Sequence, residues 1–275
     1  MAMDKKLLTI QDISCVGQCS LTVALPVISA CGIETAVLPA AVLSTHTAGF
    51  KNYTFRDLTG DFAAIEKSWL DNDIRFDAFY TGYVCENQIA PILDIMRSCA
   101  APGALRIIDP AMADHGRLYA GFNADFPEKM AKLCAGADYL LPNLTEAALL
   151  TGEKCDPESR DQGYHRHLVE RLHALGAKNV ILTGVAFDDA HIGCAVSDGR
   201  DISFDFNERL THCGHGTGDL FASVFAGALL RGKSALRAAE IAADVVVMAI
   251  QATPEDHWYG VRFEKTIPAL VEMLK

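Results

Sequence analysis

Short apolar runs rich in β-branched residues alternate along the chain with longer stretches in which apolar residues recur at helical spacing. The short runs predict strands at 5–12, 34–40, 76–82, 105–110, 138–143 and 179–185. The longer stretches predict helices at 18–31, 61–72, 87–99, 123–135 and 159–175. Strands that alternate with helices form parallel sheets covered on both faces, so the pattern predicts a three-layer αβα sandwich with a mostly parallel central sheet.

The last third of the chain has a different pattern. Residues 191–206 form two alternating runs joined by Asp198 and Gly199, a pair typical of β-hairpins. Residues 45–60 are polar and aromatic without a clear period, and we expect a lid or an edge element there. Helical spacing returns in the segments 219–231, 234–251 and 264–275. Because we find no internal repeat and no Pro/Gly-rich linker, we expect one domain over residues 1–275.

Composition narrows the function classes. The chain has 275 residues, of which 50% are hydrophobic, and a formal net charge of -11. No Lys/Arg run stands out, so we expect neither a nucleic-acid partner nor an anionic membrane partner. The opening residues "MAMDKKLLTI" lack an apolar core followed by a small-residue cleavage site, and no apolar stretch is long enough to span a membrane. We therefore expect a cytoplasmic protein.

The nine cysteines are scattered and form no C-x-x-C pair. In a chain of this kind we expect most of them to pack as small buried hydrophobes and not to form a disulfide framework. His212, Cys213 and His215 could be considered as zinc ligands. No second cluster has metal-ligand spacing, so we expect no zinc site.

Polar residues follow four of the predicted strands. In sheets of this kind ligands bind beyond the carboxyl ends of the strands. Each polar group alone can be a turn or a helix cap, but four of them at one edge favour a ligand site. They are Gln11 with Asp12, Thr81 to Tyr83, Asp109 with Pro110, and Asn143 with Glu146.

Residues 227–234, "GALLRGKS", match the phosphate-loop pattern G-x-x-x-x-G-K-[ST]. That pattern binds phosphate only where a strand precedes it and a helix starts from it. Here apolar residues recur at helical spacing through Gly227, so the first glycine is predicted inside a helix. Gly232 is predicted just past the end of that helix, and Ser234 as the cap of the next one. We reject the phosphate-loop interpretation.

A second glycine-rich stretch, "CGHGTGD" at 213–219, leads directly into a helical run. Successive glycines let backbone N–H groups turn toward one point, and a helix N-terminus adds partial positive charge. Asp219 could simply cap this helix. It could also be a base beside an anion hole, taking the proton from a substrate hydroxyl during phosphoryl transfer. The two roles are compatible.

Together with the "NLTE" at 143–146 and the strand that ends in "DP", the "GTGD" motif resembles the ribokinase-like superfamily of small-molecule kinases. Four longer stretches resemble the pyridoxal/pyridoxamine kinase family more closely. They are "TIQDISCVGQCSLTVALPVISACGIETAVLPAAVLSTHT" (9–47), "TGYV" (81–84), "DPAMADHGRLY" (109–119) and "LLPNLTEAALLTG" (140–152). The resemblance covers most of the chain and implies a ribokinase-like fold that transfers the γ-phosphate of ATP to the 5′-hydroxymethyl group of a vitamin B6 compound.

The resemblance also implies roles for residues. Asp219 matches the catalytic base, with Gly216, Thr217 and Gly218 as the anion hole. The other positions fall into three groups. The vitamin pocket is matched by Asp12, Thr47 and Tyr83 together with Asp219. The ATP side is matched by Asp109, Asn143, Glu146 and Thr183. The Mg²⁺ site is matched by Asp109, Asp114 and Glu146. Family members often need a monovalent cation such as K⁺ as well, and a homodimer is common among them, so we expect both here.

The chain departs from the family pattern at three places. Asp12 stands where the family commonly has a serine, and we hypothesise that it pairs with a cationic group of the substrate, which would favour pyridoxamine. The alternative is that Asp12 faces away and caps the next element. Thr183 stands where many relatives have a lysine near the nucleotide, so the ATP contact there stays open. Cys15 and Cys19 stand where relatives carry aromatic or small residues. Cys15 could approach the substrate, but we expect core packing for it.

Four alternatives differ from this function in substrate or in class. A sugar or nucleoside kinase usually has paired glycines near the N-terminus, which we do not find here. A hydroxymethylpyrimidine kinase shares the fold, but such enzymes often carry Cys in place of the acid after "GTG", which here is Asp219. A catalytically silent α/β ligand-binding protein would be favoured had Asp219 been lost. A dinucleotide-dependent oxidoreductase needs G-x-G-x-x-G after the first strand, and residues 11–20 contain only Gly17.

Overall fold

The structure is a computed structural model, and it describes residues 5–211 and 214–275. The described strands are β1 (Lys6–Ser14), β2 (Glu34–Leu43), β3 (Phe55–Asp57), β4 (Phe76–Thr81), β5 (Ala100–Ile108), β6 (Ala113–Asp114), β7 (Arg117–Leu118), β8 (Tyr139–Leu140), β9 (Val180–Val185), β10 (His191–Ser197) and β11 (Ile202–Glu208). The α-helices are α1 (Leu21–Ala30), α2 (Phe62–Asp71), α3 (Ile89–Ser98), α4 (Phe126–Cys134), α5 (Leu144–Thr151), α6 (Gln162–Ala174), α7 (Thr217–Leu230), α8 (Ala235–Gln251) and α9 (Ile267–Met273).

The chain forms two compact units. The first unit comprises the described residues of 1–104 and of 210–275, and the second is Leu105–Arg209. No helix in the described ranges is long and apolar enough to cross a membrane. That residues 1–275 act as one domain stays a prediction.

In the first unit the strands lie in the order β4-β1-β2-β3. β1 runs parallel to both β2 and β4, while the short β3 is antiparallel to β2. Because β1 has a strand on each side, Leu7, Leu8 and Ile10 are fully buried. The register between β1 and β2 shifts after Gln11, so that Asp12 lies opposite an irregular part of β2. Such irregularities often turn a side chain toward a site.

In the second unit the strands lie in the order β11-β10-β9-β8-β5. β5, β8 and β9 are parallel, and β10 pairs antiparallel with both β9 and β11. The predicted hairpin is confirmed as β10 and β11, whose turn holds Gly199 at φ +85. β6 and β7 form a separate two-stranded hairpin.

The prediction of a mostly parallel sheet flanked by helices is confirmed, with shifted element bounds. The segment 45–60 contains β3, an edge strand of the first unit. The predicted strand 138–143 is wrong after Leu140, because Pro142 offers no N–H to a sheet and Asn143 starts α5. The pattern did not predict α5, which is only eight residues long.

The rejection of the phosphate loop at 227–234 is confirmed. Gly227 lies inside α7, Gly232 follows its end with φ +87, and the Ser234 hydroxyl accepts from the Arg237 N–H at the start of α8. Gly227 faces α1, and an added Cβ there would lie 2.4 Å from the Cys31 sulfur. The glycine is therefore explained by close packing of two helices.

We predict that Gly227→Ala destabilises the protein. Overpacking against Cys31 costs about 1–3 kcal/mol, while the higher helix propensity of Ala returns about 1 kcal/mol. Urea unfolding should show a net loss of the order of 1 kcal/mol. Gly60→Ala is the matched control, since an added Cβ there meets no atom within 4 Å. Equal stability of the two variants would contradict the packing explanation.

Candidate active site

The carboxyl ends of β1 and β4 lie side by side in the first unit, where Ile10 pairs with Thr81. Beyond this pair the buried Gln11 side chain lies against Gly82, and its amide donates to the Thr9 hydroxyl at 2.8 Å. An added Cβ at Gly82 would lie 2.5 Å from the Gln11 amide oxygen. A side chain at position 82 would have to displace the Gln11 amide, and two of the four predicted polar groups lie together at this edge of the first unit.

Asp12 has its carboxylate inside the protein, with 4% of the residue exposed. It accepts a hydrogen bond from the Ser14 hydroxyl at 3.0 Å, and the Ser20 side chain also favours its charged form. Burial raises the pKa of Asp12, and the two hydroxyl groups partly offset that rise. Its partners are hydroxyls and not the first N–H groups of a helix, so the structure does not favour the capping interpretation of this residue.

Asp219 is the third residue of α7 and stands half-buried as a residue. Burial of its carboxyl group raises its pKa to about 7, and the negative charge of Asp12 contributes to the rise. The backbone of Ser20 favours the charged carboxylate and acts in the opposite direction. The electrostatic surroundings of Asp219 thus include the segment that precedes α1 as well as its own helix.

Cys19 and Tyr83 lie close to these two acids. Burial raises the pKa of the Cys19 thiol, and the charges of Asp219 and Asp12 add to it. Burial also raises the pKa of Tyr83, with Asp12 among the neighbouring groups that contribute. Of the predicted site residues of the first unit, Asp12 thus acts electrostatically on both Tyr83 and Asp219. Cys15 is exposed, so the expectation that it packs in the core is wrong.

The predicted anion hole lies at the start of α7. Gly216 occupies the N-cap position with φ +81, and an added Cβ would lie 1.8 Å from the Gln18 carbonyl oxygen. Thr217 and Gly218 form the first turn, whose N–H groups have no partner within the helix. An added Cβ at Gly218 would meet no atom within 4 Å. His212 and Cys213, considered above as metal ligands, lie outside the described residues.

Thr47 is half-buried in the segment that follows β2. Its neighbour His46 fixes this segment, because one ring nitrogen accepts from the Ala48 N–H at 3.2 Å and the other lies 2.9 Å from the Tyr259 carbonyl oxygen. A histidine with these partners carries its proton on Nε2, and burial lowers its pKa. An added Cβ at Gly17 would lie 2.1 Å from the His46 ring. The Thr47 segment therefore packs on the loop before α1.

In the second unit Asn143 and Glu146 form a reciprocal capping box at the start of α5. The Asn143 side-chain oxygen accepts from the Glu146 N–H at 2.9 Å, and the Glu146 carboxylate accepts from the Asn143 N–H at 2.9 Å. Glu146 also accepts from the Met112 N–H at 3.0 Å, while the Asn143 amide donates to the Ala113 carbonyl at 2.8 Å. The motif therefore joins α5 to the segment that contains β6.

Asp114 lies on the hairpin of β6 and β7. Its two-residue turn, His115 and Gly116, has positive φ at both positions, as a type I′ turn requires. Asp114 is exposed, and its charge adds to the burial that raises the pKa of Glu146 to about 7. Asp109 follows β5 and is buried, and together with Glu146 it raises the pKa of the buried Cys134.

Thr183 lies in β9, beside the start of α5. Its N–H donates to the Pro142 carbonyl at 2.9 Å, and it forms a parallel bridge with Asn143. The predicted residues of the second unit thus lie around the start of α5, with Thr183 held through its backbone.

The donor set limits how a cation could bind. Among the described residues no three His, Cys, Asp or Glu side chains converge to hold a metal by themselves. Both oxygens of Glu146 accept from backbone N–H groups, while Asp114 is exposed. Mg²⁺ commonly takes one or two carboxylates and completes its shell with phosphate oxygens and water. The donor chemistry therefore fits a Mg²⁺ ion shared with phosphates, and not an all-protein metal site.

The sequence pattern missed Ser20, which favours the charged forms of both Asp12 and Asp219. A serine directly before a helical apolar run is typical of an N-cap, and nothing else in the pattern marks it. Its unusual backbone conformation, φ 54 and ψ -132, is visible only in the structure.

Residues 25–260 match the phosphomethylpyrimidine kinase family. The pyridoxal kinase of Dictyostelium discoideum is 28% identical over 83% of this chain and 80% of that protein. The crystal structure of pyridoxal kinase from Lactobacillus plantarum has a TM-score of 0.89 and 32% identity, covering 98% of this chain and 97% of that one. A Bacteroides thetaiotaomicron protein of the phosphomethylpyrimidine kinase type, crystallised with pyridoxal, has a TM-score of 0.91 and 31% identity, covering 97% and 96%.

The family match spans well over half of the chain, and the solved structures reproduce its fold at more than 30% identity. The kinase class predicted from "GTGD" and the surrounding motifs is therefore confirmed. The chain belongs to the phosphomethylpyrimidine kinase family and is a phosphotransferase of the ribokinase-like fold.

Proposed function

We propose that the protein is a vitamin B6 kinase, which transfers the γ-phosphate of ATP to the 5′-hydroxymethyl group of pyridoxamine, pyridoxal or pyridoxine. The observation that carries this proposal is Asp219. It is the third residue of α7, the helix that begins directly after Gly216, and its pKa is raised to about 7. The kinases of Dictyostelium and Lactobacillus described above support pyridoxal as a substrate class, and the pyridoxal-bound Bacteroides protein supports it further.

Asp219 acts as the general base in this proposal. A base whose pKa lies near the working pH is unprotonated in a large share of molecules and still binds a proton well. It takes the proton of the acceptor hydroxyl as that oxygen attacks phosphorus. The N–H groups of Thr217 and Gly218, with the positive end of the α7 dipole, stabilise the charge on the transferring phosphoryl group.

Tyr83, Thr47 and Asp12 bind the acceptor ring. A tyrosine offers a flat apolar face for a pyridine ring. Tyr83 lies close enough to Asp12 for that charge to raise its pKa, and Asp12 in turn raises the pKa of Asp219. Asp12 thus influences both the proposed ring contact and the proposed base, and its carboxylate suits a cationic substituent on the ring.

The ATP side of the proposed reaction uses the second unit. Asp109, Asn143, Glu146 and Thr183 bind the nucleotide. Asp109, Asp114 and Glu146 hold Mg²⁺ with the phosphates, directly or through water. Bound Mg²⁺ supplies positive charge that neutralises phosphate oxygens. K⁺ as a second ion and a homodimer, which rest on the resemblance described above, and the cytoplasmic location expected from the sequence complete the proposal.

A hydroxymethylpyrimidine kinase is the second candidate. The matching family is described as phosphomethylpyrimidine kinase, which favours this candidate. The two acceptors are also alike, since both carry a hydroxymethyl group on a flat nitrogen-containing ring. Asp219 after "GTG" favours the B6 compound, since pyrimidine kinases often carry Cys there.

A coupled ADP-release assay tests the proposal. It offers pyridoxal, pyridoxamine, pyridoxine, hydroxymethylpyrimidine and ribose in parallel, each with Mg-ATP and with K⁺ or Na⁺. We expect turnover on a B6 compound, and Asp219→Ala should lower kcat by about 100-fold or more with a much smaller effect on acceptor binding. Near-normal turnover in the variant would refute the base assignment, and preference for the pyrimidine would support the second candidate.

Asp219→Asn provides the folding control for this experiment. A carboxyl whose folded pKa is raised binds its proton more tightly in the folded than in the unfolded state, so its ionisation destabilises the fold as pH rises from about 4 to 7. Asn cannot ionise. The inactive variant should therefore have a higher Tm than the wild type at pH 8, with a smaller difference at pH 5.

We predict that kcat/KM for the acceptor falls on the acid side of about pH 7. The pKa of Asp219 is raised to about 7, so the base form is lost as pH falls through that value. A pH series of kcat/KM at saturating Mg-ATP should show this limb, with a loss approaching about tenfold per pH unit. Constant kcat/KM down to pH 5.5 would contradict the role of Asp219.

We predict that Asp12→Ser lowers the preference for the amine substrate. The ratio of kcat/KM for pyridoxamine to that for pyridoxal should fall by about tenfold, because the carboxylate that pairs with the aminomethyl group is removed. Asp12→Asn keeps the shape of the side chain and should show the same direction. An unchanged ratio in both variants would exclude Asp12 as the partner of the amine.

A further inference from the structure

His46 lies in the segment that follows β2, directly before Thr47, and only 5% of it is exposed. Its two ring nitrogens have different partners. Nδ1 accepts from the N–H of Ala48, in its own segment, at 3.2 Å. Nε2 donates to the carbonyl of Tyr259, 213 positions further along the chain, at 2.9 Å. The imidazole therefore joins two segments that are distant in sequence.

The backbone of His46 makes a third contact. Its N–H donates to the carbonyl of Val16, in the loop before α1, at 3.2 Å. The ring lies over Gly17, where an added Cβ would come within 2.1 Å of it. The loop and the ring can approach this closely because position 17 is a glycine, whose φ of +106 also suits no other residue. His46 thus contacts the loop before α1 as well as the segment of Tyr259.

The segment of Tyr259 is itself tied to the neighbouring loops. The N–H of Gln18, in the loop before α1, donates to the Tyr259 carbonyl at 3.4 Å. Two residues after Tyr259, the N–H of Val261 donates to the carbonyl of His215 at 3.1 Å. His215 directly precedes Gly216, the N-cap of α7. The carbonyl that accepts from the imidazole therefore belongs to a segment that is anchored beside the proposed anion hole.

Aromatic packing holds the Thr47 segment on the same neighbour. The Phe50 ring contacts both the His46 ring and the Trp258 ring, at centroid distances of 4.8 Å and 4.7 Å. Gly49 has φ +81, and an added Cβ there would lie 2.8 Å from the Trp258 ring. Trp258 is nevertheless 49% exposed. Its exposure therefore depends on how closely the Thr47 segment packs against it.

We propose that His46 is a positioning residue of the acceptor pocket, which keeps Thr47 in place by joining its segment to the Tyr259 carbonyl. The inference rests on the proposed function, in which Thr47 binds the acceptor. His46 itself contacts neither the acceptor nor the phosphates in this proposal, and it exchanges no proton in the reaction. The bond from Nε2 carries the positioning, because the bond to Ala48 stays within one segment.

Two substitutions separate the two ring bonds. His46→Gln places an amide N–H near the position of Nε2, so it can still donate to the Tyr259 carbonyl. His46→Asn places its amide oxygen near the position of Nδ1, so it can accept from Ala48 but does not reach Tyr259.

Kinetics then test the positioning. In His46→Asn we expect KM for the acceptor to rise about tenfold, the upper range for one lost hydrogen bond. Because acceptor binding is weakened and the reacting groups are unchanged, kcat should fall by no more than about twofold. His46→Gln should raise KM for the acceptor by less than about threefold. KM for ATP should be the same in both variants as in the wild type.

A merely structural role gives a different result. Partial unfolding lowers the concentration of active enzyme, so it lowers the apparent kcat and leaves KM unchanged. His173→Gln is the matched control, because His173 also bonds through both ring nitrogens, to the Ala177 carbonyl and to the Ser197 hydroxyl at 2.9 Å each. It lies in α6 and has no proposed role in the site, so KM for the acceptor should not change. A loss of kcat alone in His46→Asn, or an equal rise of KM in His46→Gln, would refute the positioning role.

A second readout does not depend on turnover. The chain has two tryptophans, so in a Trp69→Phe background the fluorescence comes from Trp258 alone. We expect acrylamide to quench Trp258 more strongly in His46→Asn than in His46→Gln or with His46 intact, with emission shifted to longer wavelength. Equal quenching in all three proteins would overturn the inference, whatever the acceptor proves to be. If the wild type phosphorylates no B6 compound while quenching still differs, the proposed substrate is wrong and the positioning of the Thr47 segment stands.

Discussion

The Gln18 carbonyl oxygen occupies the space where any residue other than glycine at 216 would carry its Cβ, since an added Cβ would lie 1.8 Å from it. This backbone approach brings the loop before α1 onto the start of α7. Gly260 makes a similar approach, because its added Cβ would lie 2.6 Å from the Gln18 Cβ. The loop that carries Ser20 and the helix that carries Asp219 are therefore packed together through a contact between two backbones, and this contact sets the surroundings of the proposed base.

This contact encloses negative charge at a cost in stability. Asp12 and Asp219 are both removed from water, and each makes ionisation of the other harder. Hydroxyl groups, one N–H and the positive ends of two helices offset part of that cost, but the pKa of Asp219 still reaches about 7. A carboxylate with more donors would be a weaker base. The limited number of donors is therefore consistent with a site that gives up stability for proton transfer.

Most of the fold could be predicted from the sequence, because the buried parallel strands β1 and β9 contain short runs rich in Leu, Ile and Val, such as the "VIL" that starts β9. The helix α5 could not, since eight residues carry too little periodicity. Its cap explains the error: Asn143 and Glu146 attracted a functional interpretation, and their helix-capping bonds emerge only when the backbone is known. For the same reason the N-cap serine Ser20 could not be distinguished from an ordinary helix cap. A cap is a local signal, while the partner of its side chain is set by tertiary structure.

The two glycine-rich stretches of the first unit show why spacing alone is a weak guide to phosphate binding. In 227–234 the first glycine lies in the middle of α7, where the N–H groups already bond within the helix and the missing side chain admits Cys31 of the neighbouring region. In 213–219 the glycines come before the same helix, where the N–H groups of the first turn have no intrahelical partner. A backbone can bind an anion only where its N–H groups are unused. The position of a glycine relative to the helix start therefore decides between packing and phosphate binding, and the apolar spacing that follows each motif reveals that position.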